Sequence, residues 1–277
     1  MTSTNLYKKL SGLPPIYYFN LDHRKDRKKY IEDQFQKYKI ENYYRVPSSR
    51  YSVSNYDEWK DAITFDGLKT KIWFLATLID RIHGILQWYK SGISETCLVV
   101  EDDICFDTSK YWKFDWKTFE DRLPINWECV QLHIIGEKFV RMHLSKWSRN
   151  NHSTGCMLIN RSFAEKLLKF YFKDGKFVLH SNYGYSKRWP EYHYQSVDFV
   201  MYQVGISYSI PLFTTNYNFI SDGYRNGGIN QMSKNTDIIV RRWWERESHN
   251  YNIDDVMHLD SRYSKKMTLV VDHGSKK

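Results

Sequence analysis

The chain has 277 residues, 42% hydrophobic and 26% charged, with a formal net charge of +9 at neutral pH. That length suits one large α/β domain or two small ones, and no Pro/Gly/Ser-rich linker, internal repeat or low-complexity tract divides it. No run is long enough to span a membrane, the first residues lack the apolar core of a signal peptide and the four cysteines form no CxxC pair, which argues against a membrane anchor and a zinc site and leads to the expectation of a soluble, cytoplasmic protein with reduced thiols.

The positive charge favours anionic partners such as nucleotides, nucleic acids, acidic lipids or anionic glycans. Its densest block, residues 23–29, serves equally well as the solvated first turns of a helix.

Residues 15–20 read as the first strand, followed by a short loop and a helix with Tyr30 or Ile31, Phe35 and Tyr38 on one face. Residues 42–46 read as a second strand, and Pro47 opens a polar loop reaching to about Asp66. The clearest helix covers residues 69–90, where Ile72, Leu75, Ile79, Ile82, Leu86 and Tyr89 recur at spacings of three and four before a Ser91-Gly92 stop. Residues 96–100 form a short apolar run rich in β-branched side chains, the pattern of a buried strand. Strand, helix, strand, long helix, strand is the order of right-handed crossovers in a mostly parallel sheet, so the fold class is α/β.

Further on, residues 115–123 suggest a short helix, and residues 128–133 and 155–159 two strands. A helix over 162–172 is expected to line one side with Phe163, Leu167, Phe170 and Tyr171. Residues 173–194 read as irregular and aromatic, and 195–204 as a helix capped by Ser196 with Asp198 in its first turn. From Ile206 onward only strand fragments and the loops 221–223 and 225–228 stand out, with Trp243-Trp244 as a packing anchor or an interface.

The apolar run stops at three consecutive carboxylates, Glu101, Asp102 and Asp103. Ligands of open α/β sheets bind outside the carboxyl ends of strands. Three adjacent acids repel one another, and a hard divalent cation would relieve them while keeping open positions for substrate phosphates. The pattern points to a metal-dependent enzyme acting on a phosphorylated or nucleotide-activated substrate. Acids also end strands where a chain merely enters solvent, and three in a row behind a buried strand favour the site.

Phe19 to Arg27, read Phe-Asn-Leu-Asp-His-Arg-Lys-Asp-Arg, resembles the NLDxRxDR opening of family 25 glycosyltransferases, the group containing lipooligosaccharide and collagen β-galactosyltransferases. The second mark of that family, an apolar strand ending in EDD, is Glu101-Asp102-Asp103 here. Trp127 to Leu132, Ser153 to Arg161, Val197-Asp198 and Ser221-Asp222 are similar too, in the same order. Asp80-Arg81 depart from the pattern, standing where many members carry Ser-His.

The resemblance implies a GT-A-type, Rossmann-like single domain over residues 1–225, with 226–277 an extension packed on it. It implies transfer of a hexose, galactose or glucose, from a nucleotide diphosphate sugar, with a UDP-sugar the expected donor, to a glycan or glycoconjugate, with inversion and with Mn²⁺ or Mg²⁺. Asp103 is then the chief metal ligand, with Glu101 and Asp102 as co-ligands or as acceptors for ribose hydroxyls. Asn20, Asp22, Arg24 and Arg27 lie where they can contact nucleoside or diphosphate, and the planar fork of arginine suits phosphate.

Inversion needs a base close to the acceptor hydroxyl. Asp198 is the first candidate by its match to the family, followed by Asp222 and Glu191, although an acid in a helix's first turn is also stabilised by the helix dipole. The loop His152 to Gly155, with Tyr183, Tyr185, Trp189, Tyr192 and Tyr194, supplies either an acceptor side that stacks on sugar rings or a small satellite core. His133, His180 and His258 are candidate extra metal ligands, but none has a helical HxxxH partner. Two alternatives stand beside this reading: a glycosyltransferase for modified DNA bases, against which the basic residues form no continuous stripe, and a catalytically silent sugar-binding relative, against which all three acids are present.

Overall fold

The computed structural model describes residues 7–48, 54, 56–66, 72–136, 138–180, 197–220, 227–259 and 265–271. The first half of the chain forms β1 (Ile16–Asn20), α1 (Lys25–Tyr38), β2 (Tyr43–Pro47), α2 (Tyr56–Trp59), β3 (Ile63–Asp66), α3 (Ile72–Ser91), β4 (Thr96–Glu101), β5 (Ile104–Cys105) and α4 (Trp116–Asp121). The strands β6 (Cys129–Gln131), β7 (Ile135–Gly136), β8 (Phe139–Arg141), β9 (Ser145–Lys146), β10 (Asn151–His152) and β11 (Cys156–Asn160) follow. The remainder is α5 (Arg161–Tyr171), β12 (Phe172–Lys173), β13 (Lys176–His180), α6 (Val197–Gln203), β14 (Ser207–Ser209), β15 (Thr214–Thr215), α7 (Tyr217–Ile220), α8 (Gly227–Arg246), α9 (Ile253–Met257) and β16 (Thr268–Val270). No helix among the described residues is long and apolar enough to cross a membrane.

The fold is α/β and Rossmann-like. Its central sheet has seven strands in the order β2-β1-β4-β11-β6-β14-β9. The pairs β2–β1, β1–β4 and β6–β14 are parallel, while β11 runs against both β4 and β6, so β2, β1, β4, β6 and β14 share one direction. Alternation along each strand divides the apolar side chains between two faces. Ile16 and Tyr18, Leu98 and Val100, and Cys156 and Leu158 enter one cluster; Tyr17 and Phe19, Cys97 and Val99, and Met157 and Ile159 enter the other. Burial on both faces explains why residues 96–100 read as one unbroken apolar run.

One cluster is covered by α1 through Ile31, Phe35 and Tyr38 and by α8 through Val240, Trp243 and Trp244. The other is covered by α3, α5 and α6. Lys39, in a left-handed conformation at φ 54°, ends α1 and donates its N–H to Gln36 and Phe35. Asn160 caps α5 by accepting the Phe163 N–H at 3.0 Å. All four cysteines are buried and free.

Helix α3 crosses β1 at close range through Gly84. A Cβ there would lie 2.5 Å from Phe19 Cζ and 3.3 Å from Val46 Cγ2. Overpacking costs about 1–3 kcal/mol, whereas Ala gains roughly 1 kcal/mol over Gly inside a helix. Gly84→Ala is therefore expected to lower the melting temperature by a few degrees in a thermal denaturation. A higher melting temperature would show that α3 can ride away from the sheet.

Several expectations are corrected. The stripe of α5 is Phe163, Ala164, Leu167, Leu168 and Tyr171, whereas Phe170 is exposed, one position off the repeat. The loop expected up to Asp66 contains α2 and β3, and β3 pairs in parallel with β13, inside a stretch expected to be irregular. The region after Ile206 holds a 20-residue helix, α8, where only fragments were legible. Trp243 and Trp244 are buried, as a packing anchor requires. Ser196, expected to cap α6, lies outside the described residues.

Candidate active site

Strands β1 and β4 lie side by side in the same direction, with Phe19 opposite Glu101, so their carboxyl ends form one edge. There, the buried Asn20 donates Nδ2 to Asp102 Oδ2 at 2.7 Å and to the Arg24 carbonyl at 3.0 Å. Arg27, in the first turn of α1, donates Nη1 to Asp102 Oδ1 and to Asp103 Oδ2, each at 3.2 Å. Its Nη2 donates to the Phe219 carbonyl at 2.9 Å, and the guanidinium lies 5.2 Å from the Phe219 ring centre.

Glu101 pairs with Arg81, whose buried guanidinium lies 4.3 Å from the Phe19 ring centre. Thus Asp80-Arg81, a departure in sequence, brings a second cation onto the acidic motif. Beside it, burial pushes Asp80 up to about 8, against the pull of Arg81 and of its hydrogen bond with Ser48. Arg45 of β2 donates to Asn20 Oδ1 at 3.1 Å and to Asp22 Oδ1 at 2.5 Å.

The structure therefore brings together Asn20, Arg27, Glu101, Asp102 and Asp103. Asp22 and Arg24 flank this nest, and Arg24 pairs with Asp26 at 2.8 Å. Lys28 and Lys29 make i,i+4 pairs with Glu32 and Asp33 along α1, so this part of the basic block is a solvated helix face.

Burial raises Asp102 and Asp103 above the ordinary carboxylate range. For Asp103 the charge of Glu101 adds to burial against the opposing Arg27, and the group is pushed up to about 7. For Asp102 the Asn20 hydrogen bond and Arg27 offset part of the burial effect. Asp103 Oδ1 is buried with no hydrogen-bond partner. Among the described residues no group of three His, Cys, Asp or Glu is arranged to hold a metal ion. The donor set fits a hard cation at one point, this uncommitted oxygen.

The other flank of the edge is built by the antiparallel β11. Because it begins where β4 and β6 end, the loop leading into it meets the acidic motif, and Glu101 N–H donates to the Gly155 carbonyl at 2.8 Å. Ser153 in this loop has φ 100°, a conformation that costs a non-glycine residue about 1–3 kcal/mol. The Ser153 carbonyl accepts from Gln131 Nε2 at 2.9 Å and from the Tyr202 hydroxyl at 2.8 Å, and its N–H donates to Asp198 Oδ1 at 2.7 Å. Asp198 is thus at the site, with one carboxylate oxygen engaged by the Ser153 backbone.

His133, beyond the end of β6, belongs to no metal-binding group among the described residues. Its Nδ1 lies 2.6 Å from Ser153 Oγ and its Nε2 lies 3.3 Å from Asp237 Oδ1. Burial alone would lower its pKa, but Asp237, Asp103 and Glu101 outweigh burial and raise it. Asp237, on α8, also accepts from the Thr215 N–H at 3.0 Å and from the Thr215 hydroxyl. Nothing in its local sequence marks Asp237 as a site residue. Tyr202 and Arg45 carry no local mark either, whereas Gln131 stands inside the Trp127 to Leu132 stretch without being singled out there.

Asp222, Glu191, Tyr183, Tyr185, Trp189, Tyr192 and Tyr194 lie outside the described residues, as does the His180 side chain. His258 follows α9.

No family model matches the chain, and no curated protein matches it. A solved structure to which it is similar is the inositol-1-phosphate CTP transferase from T. maritima, at 12% identity over 84% of this chain and 98% of that one, with a TM-score of 0.36. A likeness this slight carries no argument about chemistry.

Proposed function

We propose that the chain is a glycosyltransferase of GT-A type that moves a hexose from a nucleotide diphosphate sugar to a glycan hydroxyl. The observation that carries this reading is the nest at the carboxyl ends of β1 and β4, where three consecutive acids are held by Asn20, Arg27 and Arg81 and Asp103 Oδ1 stays uncommitted. Its chemistry matches what such a donor presents. Guanidinium groups suit the diphosphate, carboxylates suit ribose hydroxyls, and an oxygen donor suits Mn²⁺ or Mg²⁺. The likeness of these same residues to family 25 supports the reading, with residues 1–225 as the transferase domain and 226–277 packed on it.

Asp103, through its uncommitted Oδ1, would hold the cation, which when bound neutralises charge on the departing diphosphate, while Glu101 and Asp102 would accept from ribose hydroxyls. Asn20, Asp22, Arg24 and Arg27 orient the nucleoside and phosphates. The acceptor hydroxyl approaches from the Ser153 corner, where Asp198 is the first carboxylate that the sequence nominates as base, ahead of Asp222 and Glu191 in rank.

The test is a thermal-shift screen of UDP-, GDP-, CMP- and dTDP-sugars with and without Mn²⁺. A donor at 100 times its Kd stabilises the native state by about 2.7 kcal/mol. A UDP-sugar is expected to raise the melting temperature, further with Mn²⁺, and to release UDP when a glycan acceptor is added. Absence of any shift with all four donor classes would sink the reading.

A further inference from the structure

A line of three reactive side chains stands beside the nest. Ser153, His133 and Asp237 come from separate parts of the chain, and the contacts of 2.6 Å and 3.3 Å join hydroxyl, imidazole and carboxylate in sequence. The surrounding network assigns the protons. Asp237 Oδ2 accepts both hydrogens offered by Thr215, so the carboxylate acts as an acceptor, and the hydrogen between Oδ1 and His133 belongs to Nε2. In the neutral ring Nδ1 is then a bare acceptor facing the Ser153 hydroxyl. Ser153 Oγ in turn accepts the Gly155 N–H at 2.9 Å, which leaves one lone pair uncommitted.

The serine is also held where a serine resists going. Its φ of 100° is maintained by Gln131, Tyr202 and Asp198 acting on its own carbonyl and N–H. Strain persists only where surrounding structure over-determines it, and it clusters at functional sites. His133 and Asp237 are buried while Ser153 is half-buried, so the serine is the member of the line open to a substrate. A nucleophile or base backed by an oriented imidazole is the general signature of an activated hydroxyl.

We propose that Ser153, backed by His133 and Asp237, is the general base of the transfer. This rests on the glycosyltransferase reading and moves the base from Asp198 to Ser153, leaving Asp198 to hold the serine's N–H. As the acceptor oxygen bonds to the anomeric carbon, its proton passes to Ser153 Oγ and the serine's own proton passes to His133 Nδ1. The bond from the anomeric carbon to the diphosphate oxygen breaks, and the diphosphate leaves with the electron pair. The resulting imidazolium is stabilised by Asp237, and the proton returns to solvent by the reverse path once products leave. Ser153 touches the substrate; His133 and Asp237 are positioning residues that act through it.

The experiment compares the full chain with Ser153→Ala and Asp198→Asn, using a nucleotide sugar that raises the melting temperature of the unaltered protein. Ser153→Ala is expected to lower kcat about 100-fold, the usual scale of general-base catalysis, while the donor still raises its melting temperature. Asp198→Asn keeps an oxygen for the Ser153 N–H and is expected to lose about tenfold less activity than Ser153→Ala does. Full activity in Ser153→Ala, or loss confined to Asp198→Asn, overturns the proposal and leaves the glycosyltransferase reading standing.

If no nucleotide sugar binds, that reading fails by itself, and ¹⁵N NMR of the unaltered chain in mildly alkaline buffer judges the relay. A His133 with protonated Nε2 and bare Nδ1 supports it; a protonated Nδ1 overturns it.

Discussion

Arg27→Met is expected to melt about 10 °C below the unaltered chain, because it leaves Asp102 and Asp103 buried without their shared guanidinium. Breaking a buried pair by removing one partner costs about 3–5 kcal/mol, and each kcal/mol shifts the melting temperature of a domain this large by roughly 2–4 °C. The loss depends on pH in a stated direction. Burial and Glu101 already hold Asp103 near 7, and removing Arg27 raises it further. The folded state then binds more protons than the unfolded state, so stability falls as pH rises from the ordinary carboxylate range through the raised value.

The gap between variant and parent is therefore wider at pH 8 than at pH 6, as scanning calorimetry would read it. Mn²⁺ is expected to return part of the lost stability, since the acids it would bind have lost their competing cation. Equal melting temperatures at both pH values would mean that the nest contributes nothing to stability.

Trp244→Ala is expected to be as damaging, on the face of the sheet that α8 shares with α1. The indole is buried, donates Nε1–H to the Pro211 carbonyl at 2.8 Å and meets the rings of Trp243, Trp112 and Phe114 at 5.0, 6.1 and 6.2 Å. Removing such a side chain costs about 3–5 kcal/mol. If residues 226–277 belong to the same cooperative unit as the sheet, one transition moves down as a whole. A second transition, with the first left in place, would assign α8 to a unit of its own.

The parts of the fold that sequence made legible are those where one physical signal dominates. Cys97 to Val100 are apolar at every position because β4 is buried there on both faces. The spacing of Leu75, Ile79 and Ile82 follows the single face that α3 turns to the sheet. Helix α8 lacked such a signal: Lys234, Asn235 and Thr236 interrupt its apolar positions, and buried Thr236 and Asp237 serve hydrogen bonds to Gly136 and Thr215 in place of packing. The antiparallel course of β11 was likewise hidden, since strand direction leaves no mark on a doubly buried strand.

At the site, the acids and Arg27 were visible as two local motifs, each marked by its own sequence. The His133 to Asp237 contact was not, because it joins a histidine marked only as a possible metal ligand to an unmarked acid through the tertiary fold.

That same reach across the chain governs when the site comes into being during folding. Asn20 and Asp102 are 82 residues apart, His133 and Asp237 are 104 apart, and Arg27 reaches Phe219 across 192. Loop-closure entropy must be met before contacts of such sequence separation form, which makes them slow. Secondary structure and local collapse can precede them without assembling any of the reactive groups. Recovery of function after denaturation should therefore lag behind recovery of helix content, and a refolding chain will look structured before it is competent.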